Sequence, residues 1–493
     1  MERVLIANRG EIAVRIIRAC RELGLQSVAV YSDADARALH VSLADRAVRI
    51  GPAPAGESYL SIDAVLQAAR ASGADAVHPG YGFLSENEAF AARCAEAGIT
   101  FIGPPADAIA SMGSKVAARE LAQRAGVPVV PGATPGDQSD AAIAAAVREV
   151  GFPALLKPSE GGGGIGMKTL RAERDLAAAI PQARREAQAA FGDGRLYVEK
   201  LVERPRHVEI QVIADAHGHV LHLFERECSI QRRHQKVIEE TPSPALTPSL
   251  RARMGEAAVA VARTAGYRNA GTVEFLLDGT GESARFYFLE MNTRLQVEHP
   301  ITEQVVGVDL VHAQMAVAAG LPLQWNQDTL RQRGHAIEAR VYAEDAANND
   351  LPQAGPLLLY REPVMPGVRI DSGVTEGGDV SVHYDPMIAK VIASGETREQ
   401  ARRRLITALR SFPILGVRTN VAFLINTLEH PRFVSGATDT ALLDDMGASL
   451  RPPTPTPPPI AARLADAVLA AVPTGRTPAT VTDPWTALRN VRV

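Results

Sequence analysis

The chain has 493 residues, 46% hydrophobic and 22% charged, with a formal net charge of −4. That length fits about three or four domains, and the slightly acidic balance excludes a protein that grips nucleic acid with its whole surface. No apolar run of about 18 residues is present, which argues against a membrane span.

The N-terminus, MERVLIANRG, reads as a strand and turn rather than a signal peptide. Cys20, Cys94 and Cys228 lie far apart without metal-ligand spacing, so they are expected to be reduced structural thiols of a cytoplasmic protein. Six lysines, at 115, 157, 168, 200, 236 and 390, leave arginine to supply the rest of the 52 basic residues. Lysines kept in so arginine-rich a chain suit point-charge contacts to phosphate, although codon bias would leave the same count.

In chain order, residues 3–8 form an apolar run, a helical pattern with Ile12, Ile16, Ile17 and Cys20 runs to Leu23, and strands are expected at 27–31, 74–78 and 99–103. Strands alternating with helices predict a parallel sheet with right-handed crossovers. The fold class expected is therefore α/β and α+β, opening with a Rossmann-like domain at 1–112 that lacks the dinucleotide glycine fingerprint. A linker helix is expected within 113–132. Residues 133–202 read as a small αβ lid: helix 139–150, strand 153–157, a glycine run, strand 166–170, helix 173–190 and strand 195–201. Longer strands follow at 207–214, 219–229, 271–278 and 285–293, with an Ala-rich helix at 250–266, in a domain expected over 203–446. Residues 447–493 read as a Pro-rich linker, extended and semi-rigid, then an apolar helical stretch at 460–472 that looks like the opening of a further domain.

Three segments carry chemistry. Between two lid strands, Gly161–Gly164 followed by Ile165 and Gly166 lets backbone amides close on an anion, as a plain surface hairpin of the same composition also would. It is not a Walker A loop; the lysines that suit a triphosphate are Lys157 upstream and Lys115 at a helix start. At 290–299, EMNTRLQVEH places Glu290, Asn292, Arg294, Gln296 and Glu298 at every second position, on one face of an extended chain. With Glu274 on a neighbouring strand, Glu290 and Asn292 form a hard-oxygen set suited to Mg²⁺, while amphipathicity alone gives the same period. Third, Arg232, Arg233, His234 and Lys236 form a segment that attracts anions, with no interleaved aromatics for base stacking.

Taken together, these strings resemble a biotin carboxylase, the ATP-grasp component of biotin-dependent carboxylases, over about residues 2 to 446. The resemblance rests on IANRGEIA at 6–13, HPGYGFLSEN at 78–87, the glycine run, RHVEIQ at 206–211, QRRHQK at 231–236, EMNTRLQVEH at 290–299 and EARVYAED at 338–345. YDPMIAK at 384–390 is similar to carboxylases acting on acyl-CoA.

The resemblance implies an ATP-grasp C-terminal domain and a ligase that carboxylates biotin with ATP and bicarbonate through carboxyphosphate. Lys115, Lys157, His207 and the Gly163 and Gly164 backbone would hold the phosphates; Glu199, Lys200 and Leu201 would form the adenine hinge, with Leu276 beside the nucleotide; Gln231 and His234 would face the ribose. Glu274, Glu290 and Asn292 would hold Mg²⁺ or Mn²⁺. Bicarbonate would rest on Lys236, Arg294, Gln296 and Val297, with Glu298 as general base. Arg340 would stabilise the biotin enolate, with Tyr81 and Gly82 near its ring. No lysine follows Lys390, so biotin would come from a separate carrier domain, with a carboxyltransferase subunit as a further partner in a homo-oligomer or α/β assembly, and no nucleic acid or membrane partner. The tail suggests the front of a longer α subunit. The alternatives are another ATP-grasp ligase, or a non-catalytic scaffold.

One position departs from the family pattern: Ile165 stands where relatives carry Arg or Lys over the phosphates. Weaker ATP binding or looser flap closure is expected. Ile165→Arg is therefore expected to lower the KM for ATP, measured by ADP release; an unchanged KM would remove this assignment.

Overall fold

In β1 (Arg3–Ile6), Val4, Leu5 and Ile6 are all buried, as a strand must be when helices cover both faces of its sheet. The computed structural model of the chain describes residues 1–159, 166–233 and 235–453, with Ile460 and Arg463. The glycine run with Ile165, His234, and nearly all of the Pro-rich linker and the expected 460–472 helix lie outside the described residues.

The first sheet joins β1, β2 (Gln26–Ser32), β3 (Arg46–Gly51), β4 (Ala76–His78) and β5 (Thr100–Phe101) in the order β3-β2-β1-β4-β5, all parallel. Helix α1 (Gly10–Glu22) packs Ile12, Ile16 and Ile17 onto one face with Val4 and Ile6. Helices α2 (Ile62–Ser72) and α3 (Glu88–Glu96) cover the other, where Leu5 and Val28 meet Val65, Leu66 and Phe90. The side chains of Ser61 and Asn87 cap α2 and α3 by accepting the amides of Ala64 and Phe90.

The expected single linker helix is two, α4 (Ala106–Gly113) and α5 (Lys115–Arg124). Extended backbone at Ser114 breaks them, so Lys115 begins a new helix. Then comes a four-stranded antiparallel sheet of β6 (Gly132–Ala133), β7 (Ala154–Pro158), β8 (Lys168–Leu170) and β9 (Leu196–Lys200), in the order β6-β9-β7-β8. Helices α6 (Asp140–Val150) and α7 (Leu176–Phe191) supply Ile143, Val147 and Ile180 to its core.

Eight strands form the second large sheet: β10 (Arg206–Ala214), β11 (Val220–Arg232), β12 (Gln235–Thr241), β13 (Asn269–Asp278), β14 (Arg285–Asn292), β15 (His335–Tyr342), β16 (Val368–Ser372) and β17 (Met387–Gly395). Their order is β14-β13-β10-β11-β12-β15-β17-β16. Strand β10 explains its two faces. Val208, Ile210 and Val212 pack with Leu250, Met254 and Val261 of α8 (Pro248–Thr264), while the alternate residues His207, Glu209 and Gln211 face the other way and are also buried. Register then lines polar groups across the sheet: Glu274 opposite both Glu290 and Glu209, Glu209 opposite Arg226, Glu239 opposite Glu338, and Arg340 opposite Lys390.

The extended run expected through residue 299 ends early. Strand β14 stops at Asn292, residues 293–298 are irregular, and α9 (His299–Val306) follows with Pro300 in its first turn. Burial does not alternate there: Leu295, Gln296 and Glu298 are all buried. The polar residues of this segment are thus brought together by a bend and not by a strand face. Among the described residues no helix is long and apolar enough to cross a membrane.

The turn that leaves β16 closes on the start of α1. A Cβ at Gly373 would lie 2.4 Å from the amide nitrogen of Glu11 and 2.5 Å from the carbonyl carbon of Gly10. Gly373→Ala is expected to destabilise the fold by about 1–3 kcal/mol through this overpacking. Urea unfolding checks it; an unchanged midpoint would show that the two backbones separate freely.

Candidate active site

Three carboxylates meet one ammonium. Lys236 donates to Glu209, to Glu274 at 2.8 Å and to Glu298 at 2.7 Å. Glu209 and Glu298 are wholly buried, and like charges opposite one another on paired strands repel. Arg226, also wholly buried, takes the other oxygen of Glu209 and donates to Gln211, Thr302 and Thr272 at 2.8, 2.9 and 3.1 Å. Glu298 is gripped from both sides: its second oxygen accepts from Arg340 at 2.8 Å, and Arg340 donates in turn to Glu239 at 2.6 Å. Burial pushes Glu298 up, but Lys236 and Arg340 outweigh it and hold the carboxylate well below its usual range. Cys228 lies 3.9 Å from Glu298, with burial and Glu209 keeping its thiol well above the usual value.

Beside this cluster, Glu274 lies 2.8 Å from His207 Nε2 as an ion pair and accepts from the Asn292 amide at 2.9 Å. Burial raises it, yet Lys236 and His207 prevail and keep it ionised. Its cross-strand neighbour Glu290, half-buried, is raised by burial and then by the charge of Glu274. A divalent cation between two such oxygens would relieve that repulsion, so Glu274, Glu290 and Asn292 fit a hard metal ion. Arg294 is fixed on Glu86 at 2.7 Å and also reaches Gln296 at 2.9 Å and Asn292 at 3.0 Å. The carbonyl of Val297 faces Lys390.

On the lid side, Lys157 donates to Glu199 at 2.7 Å, and Arg119 holds the other Glu199 oxygen at 2.8 Å. Burial lowers Lys115, with Glu290 opposing. Lys200 turns its side chain to the carbonyls of Gly151 and Phe152, and the amides of Lys200 and Leu201 are taken by Pro131 and Pro153. Leu276 is half-buried opposite His207, and Gln231 pairs in register with Lys236. Tyr81 donates to Glu11, and Asn8 holds the Tyr81 carbonyl at 2.7 Å. Gly82 follows with φ +67°, a conformation that favours glycine.

The structure therefore links Glu274, Glu290, Asn292, Arg294, Gln296, Glu298, Lys236, His207 and Arg340 in one connected site. Gly163, Gly164 and His234 lie outside the described residues. Sequence reasoning passed over Glu86, Glu209, Arg226 and Glu239. A signal existed for Glu209, which shares its strand face with His207, and for Glu86, which falls inside a quoted motif. Two surface depressions, one beside Arg3, Gln26 and Asp75 and one beside Arg204, Arg206 and Arg432, contain none of these side chains.

Residues 1–109 match the model of the biotin carboxylase N-terminal domain, 114–326 that of the carbamoyl-phosphate synthase L chain ATP-binding domain, and 338–445 that of the biotin carboxylase C-terminal domain. The biotin carboxylase of Halalkalibacterium halodurans is 49% identical over 442 residues, covering 90% of this chain and 97% of that protein. The chain belongs to the biotin carboxylase family. It is also 49% identical over 451 residues to the mitochondrial methylcrotonoyl-CoA carboxylase subunit alpha of Rattus norvegicus, covering 91% of this chain but only 63% of that subunit. Among solved structures, the Campylobacter jejuni biotin carboxylase in complex with β-γ-ATP matches with a TM-score of 0.87 at 43% identity, over 90% of this chain and 98% of that one. The biotin carboxylase domain dimer of Hydrogenobacter thermophilus 2-oxoglutarate carboxylase, bound to MgADP, ADP and bicarbonate, matches with a TM-score of 0.88 at 43% identity, over 92% and 99%.

One titration follows from the cluster. Burial lifts Glu239 to about 7; Arg340 opposes this and Glu298 adds to it. A carboxyl held above its unfolded value of 4.5 stabilises the fold below that pH and loses the contribution as pH rises through about 7. The thermal midpoint is expected to fall more steeply for the wild type than for Glu239→Gln between about pH 5 and 8; parallel curves would discount it.

Proposed function

We propose that this chain carboxylates biotin, using ATP and bicarbonate, as the first half-reaction of an acyl-CoA carboxylase. The observation that carries the reading is Glu298, an ionised, wholly buried carboxylate held between Lys236 and Arg340 and linked through Lys236 to Glu274.

A carboxylate paired with two cations is a weak base. Bicarbonate resting on Arg294, Gln296 and the Val297 backbone draws the Lys236 ammonium toward itself, and Glu298 gains basicity as that pairing loosens. Glu298 then takes the bicarbonate proton while a bicarbonate oxygen attacks the γ-phosphorus and the bond to the β-bridging oxygen breaks, giving ADP and carboxyphosphate. Lys115, Lys157 and His207 hold the phosphates, and Glu274, Glu290 and Asn292 hold Mg²⁺, which when bound neutralises charge on the triphosphate. Glu199 to Leu201 and Leu276 receive the base, with Gln231 on the ribose side. Carboxyphosphate yields CO₂ and phosphate, the phosphate takes the biotin N1 proton, and N1 bonds to CO₂. Arg340 faces the charge that develops on the ureido oxygen, with Tyr81 and Gly82 beside the ring.

Biotin arrives on a carrier domain, as the likeness to biotin carboxylases supports. The likeness to methylcrotonoyl-CoA carboxylase subunits supports a carboxyltransferase subunit as partner, and the dimeric relative supports a homo-oligomer. Three buried, unpaired cysteines support a reducing compartment such as the cytoplasm. In this reading the stretch 1–112 presents Tyr81 and Gly82 to the biotin ring, 133–202 acts as the lid and 203–446 as the catalytic sheet.

ADP release by the purified chain is expected to require bicarbonate and to rise with free biotin. Glu298→Gln is expected to lower that rate by at least about 100-fold, and Arg340→Met to lose the biotin response while keeping bicarbonate-dependent ADP release. Turnover without a biotin response in the wild type would point to another ATP-grasp ligase, and no turnover to a scaffold; either outcome overturns the reading.

A further inference from the structure

Lys390 is the one lysine buried to 0% among the described residues, and the reaction just outlined makes no use of it. Removing an ammonium from water costs several kcal/mol unless it is paired and hydrogen-bonded. Its Nζ meets that demand with three oxygens: Glu11 at 3.0 Å, the Val297 carbonyl at 2.8 Å and Asp371 at 3.8 Å.

These contacts are unequal. Asp371 already receives both prongs of Arg369, each at 2.8 Å, and does not depend on Lys390. Glu11 does: its Oε2 is buried without a hydrogen-bond partner among the described residues, so the carboxylate rests through Oε1 on Lys390 and on the Tyr81 hydroxyl. Val297 belongs to the irregular segment that carries Gln296 and Glu298. One ammonium therefore joins the backbone beside the bicarbonate position to the carboxylate that aims Tyr81. Glu338, another buried carboxyl whose charge acts on Lys390, makes no hydrogen bond through either oxygen among the described residues. Lys390 also lies directly opposite Arg340 in the β15–β17 register.

We propose that Lys390 is a positioning residue that fixes the spacing between the bicarbonate segment and the biotin-facing Tyr81, acting through Val297 and Glu11. The proposal rests on the biotin carboxylase reading. A purely structural ion pair would support all substrates alike, whereas a spacer between these two sites leaves the nucleotide side untouched.

The test uses the full chain with Lys390→Met and with the double variant Glu11→Leu/Lys390→Met. The single variant strands a buried carboxylate and is expected to lower the thermal midpoint. The double variant replaces the buried pair with apolar groups of similar size, which commonly preserves stability. In the folded double variant, KM for bicarbonate and for free biotin are expected to rise about tenfold, the order of a lost charge-assisted hydrogen bond, while KM for ATP stays within about twofold. Wild-type KM values for both small substrates, or a parallel rise in the KM for ATP, would overturn the proposal. Absence of biotin-stimulated ADP release in the wild type would instead overturn the functional reading on which it stands.

Discussion

The site is organised by a single ammonium shared among three carboxylates. Glu209, Glu274 and Glu298 come from β10, β13 and the segment before α9, and Lys236 reaches all three. A buried cluster of that sign cannot form without a compensating charge. Lysine suits the position because its three N–H bonds spread from one compact charge, whereas the planar arginine fork favours paired oxygens of one group. Arg226 and Arg340 each donate to the oxygen that Lys236 leaves free, Arg226 on Glu209 and Arg340 on Glu298, and each spreads its remaining donors over neighbouring groups. The arrangement is neutralised from within and poised, since any anion entering beside Lys236 competes with Glu298 for the same protons.

The nucleotide side is arranged on another principle. Lys115 and Lys157 carry charge toward the space between lid and sheet, and a single carboxylate, Glu199, is divided between Lys157 and Arg119. Among the described residues Lys157 and Arg119 share this one carboxylate, which suits a polyanion as ligand. Arg119, one turn along the helix from Lys115, spares Lys157 from being the sole counter-charge of Glu199. The two halves of the site thus differ in electrostatic design: three carboxylates share one ammonium in the first, and two cations share one carboxylate in the second.

Much of this was legible in the sequence wherever the signal was local. The alternation of strand and helix over residues 3–101 gave a parallel sheet because buried strands and amphipathic helices differ in period. Glu274 and Glu290 could be placed together because a short turn joins their strands. Local pattern failed where geometry depends on distant pairing. Glu209 meets Arg226, and Glu239 meets Arg340, only because β10 lies between β13 and β11 and β12 pairs with β15, an order no periodicity specifies. The segment after Asn292 misled for a different reason: polar residues at every second position mimic a strand, while Pro300 and the helix it starts force the chain to bend. Ser114 likewise broke one expected helix into two.

The close contacts between the first residues and the later sheet have a bearing on how such a chain can be recombined. Glu86 clamps Arg294, Glu11 meets Lys390, and the backbone of Gly10 touches Gly373. Three stretches that match separate family models therefore share their charges across every seam. A chimera that took its first hundred residues from a distant relative would inherit a working catalytic sheet only if the donor brought matching acids at both places. Portability of the parts is limited by this electrostatic stitching rather than by the length of the connections between them.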